Sequence, residues 1–332
     1  MVVQFEYNSK DQSGADTYGQ LPSPIAILTL DQDQKTGHLE LKKYFNVNTA
    51  PVHGLWITCG ASLSPWNTHL SSEEYEPDAF GQGIGGPAPT GFGKYFFNND
   101  MTKVKPYNYG HLPEVIVNLD GTGSIKKHYC LGRISHELVQ VMPDNKTVIM
   151  GDDYTNGGFF MFIADKEKDL SAGTLYAAKY KDELNETSTA RIEWIKLGSA
   201  TSKEIEDLVN VQNIQPTDIM ESLNVNPNDA SYTEITLAKK KLWVKIKPGM
   251  EKVAAFLETH RYAALMGASM AFTKMEGTTV NIKDKVAYSA LANIQDSMVV
   301  NTSSYVAAHN IKFAKALKAG GVLAHDLKGN QV

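Results

Sequence analysis

Residues 147–163 read TVIMGDDYTNGGFFMFI. Two apolar runs, 147–150 and 159–163, bracket a stretch of Asp, Asn and Gly. β-Branched and aromatic side chains suit a pleated, half-buried surface, and the Gly pair with its acids interrupts it, so the stretch predicts strand, turn and strand. The same form recurs outward in both directions. Residues 24–30 and 38–41 precede it, as does 114–119 with its turn at Asp120 and Gly121, and 174–177 and 192–195 follow. Many short strands at close spacing predict a mainly β fold, a sandwich, barrel or propeller. No WD or kelch repeat decides among these.

The character changes near residue 200. Thr201-Ser202-Lys203-Glu204 has the form of a capping box opening a helix through Ile205, Leu208 and Val209, with a second helix near Met220. Between 251 and 268, Val253, Phe256, Leu257, His260 and Ala264 recur at helical spacing. The expected organisation is a β part over 1–199, a helical insertion over 200–268 that covers one rim by packing rather than chemistry, and a return to β structure over 269–332.

At 332 residues with a formal charge of −5, the chain has length for a sizeable core and no basic excess. No Lys/Arg run interleaves with aromatics as a nucleic-acid groove needs, so no nucleic-acid binding is expected. No apolar run reaches the length of a membrane span, and the first six residues are too polar for a signal peptide, which leaves a cytoplasmic or an already mature chain. Cys59 and Cys130 could pair in an exported protein or stay apart, and Cys130 is expected to act as a small buried hydrophobe.

The segment most charged with chemistry is 56–79, WITCGASLSPWNTHLSSEEYEPDA. Leu55, Trp56 and Ile57 predict a short buried strand running into Cys59, and Glu73, Glu74, Glu76 and Asp78 follow within twenty residues. Clustered carboxylates repel one another unless solvent or a cation screens them, so the segment is either a solvated acidic loop after a buried Cys or the lip of a metal site.

Four ordered motifs decide between these. Cys59, Ser64-Pro65-Trp66-Asn67-Thr68 and Glu73-Glu74 come first, then Gly132-Arg133-Ile134-Ser135-His136-Glu137, then Met150-Gly151-Asp152-Asp153 with Gly157-Gly158, and last Phe272-Thr273-Lys274-Met275-Glu276-Gly277. Together they resemble the PhoX family of calcium-dependent alkaline phosphatases. The resemblance implies a β-propeller, export to the periplasm or beyond, and hydrolysis of phosphate esters at a cluster of iron and calcium ions bridged by an oxygen species. Carried over residue by residue, it implies Cys59 on iron, Glu74, Glu137 and Glu276 holding or bridging metals, and Asp152 or Asp153 close by. Asn67, Thr68 and Lys274 would then bind substrate oxygens, His136 would orient Glu137 from the core, and Trp66 would pack under its loop. Without the family, thiolate suits a transition metal and carboxylates suit calcium.

Two departures stand out. Lys274 replaces the family's Arg, offering a point charge instead of a fork, and Met275 replaces its Pro. The family's later acidic segment and first strands are not found in 1–332, which predicts a fragment, a processed chain awaiting a partner, or a reduced relative whose ring closes differently. An open ring would favour association with another chain. Two function classes follow: a metal-dependent phosphoesterase, and a non-catalytic propeller module for binding or assembly. In both, Glu76 is expected on the solvated side of its loop, and a solvent-facing position beside Glu74 is one reading of Glu73.

Overall fold

The alternating runs form six antiparallel sheets among residues 1–328, the part of the chain that this computed structural model describes. Residues 329–332, the tail of the expected returning β segment, lie outside it. The first sheet joins β1 (Val2–Gln4), β2 (Ile25–Gln32) and β3 (Leu39–Asn46) in that order. The second is a four-stranded meander of β4 (Ser62–Leu63), β5 (His69–Leu70), β6 (Leu112–Val117) and β7 (Gly123–His128), with a short helix α1 (Thr90–Tyr95) in its long connection. The third runs β8 (His136–Val141), β9 (Thr147–Asp152), β11 (Phe160–Lys166), β12 (Asp169–Tyr180) and β13 (Ile192–Thr201), and the short β10 (Thr155–Gly157) leaves it to pair elsewhere. Sheets made of sequential antiparallel neighbours are the unit from which propeller blades are built.

Thr201 then caps α2 (Ser202–Asn210), its hydroxyl accepting from Glu204 N at 3.0 Å. The reciprocal half of the box is absent, because the Glu204 carboxylate pairs with Lys252 at 2.8 Å. A one-turn helix α3 (Pro216–Ile219) ends where the expected second helix was centred, and Met220 begins a strand. Residues 200–268 are therefore not helical throughout. They carry a three-stranded sheet of β14 (Met220–Leu223), β15 (Thr233–Leu237) and β16 (Lys240–Ile246) before the helices α4 (Glu251–Leu257) and α5 (Thr259–Leu265). The β15–β16 hairpin turns on Ala238 and Lys239, both left-handed at φ 45° and 64°, a turn normally announced by Asn-Gly. β17 (Phe272–Thr273) pairs with β10, and β18 (Met275–Asn281), β19 (Val286–Leu291) and β20 (Gly321–Asp326) form the last sheet.

Two apolar clusters set the frame of the site. Val139, Met150, Phe160 and Leu175 of the five-stranded sheet join Phe256 and Leu257 of α4, so the expected apolar face does dock on the sheet. Ile149, Phe159, Phe272, Met275 and Ala287 form a second cluster that clamps β18 against β9. Each fully buried Phe contributes about 2 kcal/mol of transfer free energy to this clamp. Gly151 makes the approach close: a Cβ there would stand 2.3 Å from the Met275 carbonyl oxygen. That contact sets Asp153 beside Lys274, which in turn pairs with Glu276.

Candidate metal centre

Glu74 is held by its backbone. Its N–H donates to Ile57 O at 3.1 Å, Tyr75 N–H donates to Ser135 Oγ at 2.8 Å, and His136 N–H donates to Glu73 O at 3.0 Å. The acidic segment is thus laced between the Cys59 loop and the start of β8. Leu55, Trp56 and Ile57 are buried but form no strand: Trp56 N–H donates to Glu73 Oε1 at 2.9 Å, and Ile57 has φ 39°, outside any strand conformation. Gly60 lets the loop lie on β8, since a Cβ would meet Leu138 N at 2.4 Å and Glu137 Oε2 at 2.5 Å. The β8–β9 ladder shifts register between His136 and Val139, a bulge of the kind that re-aims a side chain, and Glu137 sits in it.

These devices bring Glu74, Glu137 and Asp153 together, buried, with one oxygen of each within 4.8 Å of the others. Glu74 also belongs to a second group, with Cys59 and Glu6, of the same 4.8 Å spread. Cys59 and Glu6 are exposed, so the second group forms the mouth of the first. Burial raises Glu74 and Glu137 above the usual carboxylate range, and their repulsion for each other and for Asp153 acts with it on Glu74. The Cys59 thiol is raised too, by desolvation first and then by its contacts with Glu137 and Glu74.

Glu74 Oε2 and Asp153 Oδ1 are buried without a hydrogen-bond donor. A buried carboxylate oxygen left unpaired is costly, and a cation relieves both the vacancy and the repulsion. The donor set fits a hard divalent cation on the carboxylates, with a softer position at the thiol.

Lys274 adds a positive charge. Its ammonium donates to Asp153 Oδ2, to Glu276 Oε1 at 3.0 Å and to Tyr75 Oη at 3.0 Å, while Tyr75 Oη donates to Asp153 Oδ2 at 2.9 Å. Burial opposes this charge, and the bonds to Asp153, Tyr75 and Glu276 outweigh it, raising the Lys274 pKa. Lys274 therefore faces carboxylates, and Glu276 reaches the cluster through it.

The remaining expected residues stand elsewhere. Both oxygens of Asp152 are occupied, by Gly158 N–H at 2.9 Å, Ser135 N–H at 3.2 Å and His260 Nε2 at 2.9 Å. Thr68 is buried and donates to Glu114 Oε1 at 2.6 Å, which also accepts from Trp66 Nε1 at 2.9 Å. Asn67 is exposed at φ 61°, closing the tight turn through its N–H to Ser64 O at 3.0 Å. Both residues serve the β4–β5 turn, Asn67 through its backbone and Thr68 through its hydroxyl against Ser64 Oγ at 2.7 Å. His136 is a core histidine, its Nε2 bonded to Gly132 O at 3.1 Å and its pKa lowered by burial to about 4. Cys130 is buried and free, and Cys59 at the mouth is exposed and free.

Two acids expected in solvent are buried. Glu73 pairs with buried Lys127 at 2.9 Å and accepts from Trp56, Gly110 and His111 N–H groups. Glu76 pairs with His260 Nδ1 at 3.0 Å. Burial lowers the pKa of that imidazole, but Asp152 and Glu76 on either side override it and lift the group to about 10. Tyr154 stacks on the ring with centroids 4.2 Å apart. Helix α5 thus does more than pack: His260 and Arg261 neutralise Glu76, Asp152, Asp78 and Glu258. Sequence reading missed Glu6, Tyr75, Lys127 and His260, whose partners lie far away along the chain.

The site and sheets define a mainly β protein with a buried carboxylate centre suited to cations. The family model described as "Alkaline phosphatase PhoX" matches residues 34–322, and the chain belongs to that family. Among solved structures it is similar to Pseudomonas fluorescens PhoX in complex with vanadate, a transition state analogue, with a TM-score of 0.49 at 17% identity over 82% of this chain and 50% of that one. It spans about half the length of that relative. A candidate 6-phosphogluconolactonase from Bacteroides fragilis NCTC 9343 is similar with a TM-score of 0.25 at 10% identity over 92% of this chain and 82% of that one. No curated protein matches the chain.

Proposed function

We propose that the protein hydrolyses phosphate esters at a cation centre on Cys59, Glu74, Glu137, Asp153 and Glu276. The observation that carries this reading is the pair of buried, donor-free oxygens on Glu74 and Asp153, inside the segment that the phosphatase family model matches. In the family's pattern the carboxylates would hold calcium and Cys59 iron. Bound cations there supply charge neutralisation for the phosphoryl oxygens and an activated oxygen nucleophile.

The chain's own residues do the positioning. Glu74, common to both groups, ties the buried carboxylates to the exposed mouth where an ester enters. Lys274, freed from Asp153 and Glu276 when a cation takes their charge, has its ammonium available to a phosphate oxygen, as a point charge rather than a fork. Small phosphomonoesters are the proposed substrates, and phosphate scavenging outside the cytoplasm the proposed setting. No helix among the described residues is long and apolar enough to cross a membrane.

One observation favours the second reading, a non-catalytic propeller module that binds or assembles with another chain: Lys274 already neutralises Asp153 and Glu276. Metal analysis and p-nitrophenyl phosphate hydrolysis separate the two. Bound calcium and iron with a rate that collapses after chelation support the enzyme. A rate unchanged by exhaustive EGTA and EDTA would overturn the cation centre, and a metal-loaded protein without turnover would favour the module.

A further inference from the structure

The amino-terminal segment is fastened onto the Cys59 loop. Gln4 Nε2 donates to Cys59 O at 2.6 Å and to Gly60 O at 3.1 Å, and Gln4 Oε1 meets His69 Nε2 at 2.8 Å. Thr58 Oγ1 donates to Phe5 O at 3.1 Å, in the peptide before Glu6, and Ser23 Oγ donates to the Glu6 carbonyl, in the peptide after it. Phe5 N–H donates in turn to Pro24 O at 3.0 Å. The backbone on both sides of Glu6 is therefore fixed, and its carboxylate is held with the Cys59 thiol and Glu74 inside a 4.8 Å group.

Such a fixed arrangement needs a reason. Two carboxylates beside a thiol, gathered by a dedicated set of hydrogen bonds, repel one another when ionised in the absence of a cation. Glu74, only 3% exposed, keeps Oε2 without any donor. Glu6 lies in the amino-terminal strap, outside residues 34–322 that the family model matches.

We infer that Glu6 is a metal ligand: with Cys59 and Glu74 it forms a thiolate–carboxylate site for a divalent transition-metal ion at the mouth of the centre. The inference rests on the proposed cation centre and adds a ligand to it. Binding displaces the thiol proton to solvent, leaving sulfur as thiolate on the ion. The strap has a second consequence. Gln4 acts as a positioning residue, since it orders the Cys59 loop and the strap together.

The test uses cobalt(II) added to the chelated full chain, read by the near-ultraviolet thiolate-to-metal absorption band, with no substrate present. The parent should develop the band and Cys59→Ser should lack it. Glu6→Gln should keep the band with Kd raised about tenfold or more, because ligand charge sets affinity. Gln4→Ala should shift Kd in the same direction. Melting in EGTA should not fall for Glu6→Gln, whose side chain is exposed. A Kd for Glu6→Gln within twofold of the parent overturns Glu6 as a ligand, and no band in the parent overturns the thiolate site. Loss of phosphatase activity with the cobalt result intact would instead count against the proposed reaction alone.

Discussion

At the scale of single residues, the same substitution has opposite consequences at two buried glutamates. Glu137 faces Glu74 and Asp153, so a neutral amide there removes repulsion and also removes a proposed cation ligand. Glu137→Gln is expected to melt higher than the parent in EGTA while losing turnover by orders of magnitude and most of its calcium-dependent gain in Tm. Glu76 faces His260, and Glu76→Gln leaves Asp152 as the only anion on that imidazole. Breaking a buried pair from one side costs about 3–5 kcal/mol, so this variant should lose stability in urea titrations with or without calcium. If Glu76→Gln is neutral in stability, the ion network has been misassigned. Lys274→Met tests the resident ammonium: with no competitor for Asp153 and Glu276, calcium affinity by calorimetry should rise about tenfold or more. A weakened affinity would make Lys274 a support of the site instead of a competitor. The residue scale is also where the sequence spoke least. Cys59, Glu74, Glu137 and Asp153 were legible through motif order, whereas Glu73 and Glu76 read as solvated because Lys127 and His260 reach them from other elements.

Elements decide where those residues meet. β18 carries Glu276 to β9 only because Gly151 has no side chain, the missing Cβ leaving room for the Met275 carbonyl. Gly151→Ala must push the strands apart or strain them, and overpacking of this kind costs about 1–3 kcal/mol. Calcium affinity should fall along with Tm, since Asp153 and Glu276 separate with their strands. Lowered Tm with unchanged affinity would show that the strand contact serves stability alone. Most strands were readable in advance, because alternation and β-branched runs are local properties. The β14–β16 sheet was not, and its hairpin shows why. Ala238 and Lys239 adopt the left-handed turn that Asn-Gly would have signalled, so the turn is enforced by the flanking pairings from Thr233 to Val244 and from Leu237 to Lys240. The break between α4 and α5 falls at Glu258, at φ −122° and ψ 46°, with no Pro or Gly to mark it. Glu258 there pairs with Arg261 three residues on at 2.6 Å and accepts from Tyr107 Oη at 2.7 Å, the latter a tertiary contact that no local pattern carries.

For the whole molecule, the acidic centre couples folding to pH and, on the proposed reading, to cations. Glu74 and Glu137 are raised in the folded protein above their ordinary value of 4.5, by burial first and by mutual repulsion in the case of Glu74. A raised carboxylate contributes stability that is fully present below its unfolded pKa and is lost as pH climbs toward the folded one. Without cations, the centre therefore destabilises the fold progressively as the medium becomes alkaline. A bound divalent cation holds the same carboxylates ionised at no such penalty, and its binding is itself favoured by deprotonation. Half-buried neutral histidines act on the acid side: desolvation lowers His69, His309 and His325 to about 4, so they withdraw stability as pH falls from their unfolded value of 6.5 toward 4. That contribution is the same with and without calcium and cancels in a difference. The gain in Tm between matched calcium and EGTA samples should consequently grow steadily from about pH 6 to about pH 9, as each carboxylate that must ionise does so at the cation's expense rather than the fold's. A gain that is flat across this range would mean that calcium binds away from Glu74 and Glu137, at ordinary surface carboxylates already ionised throughout.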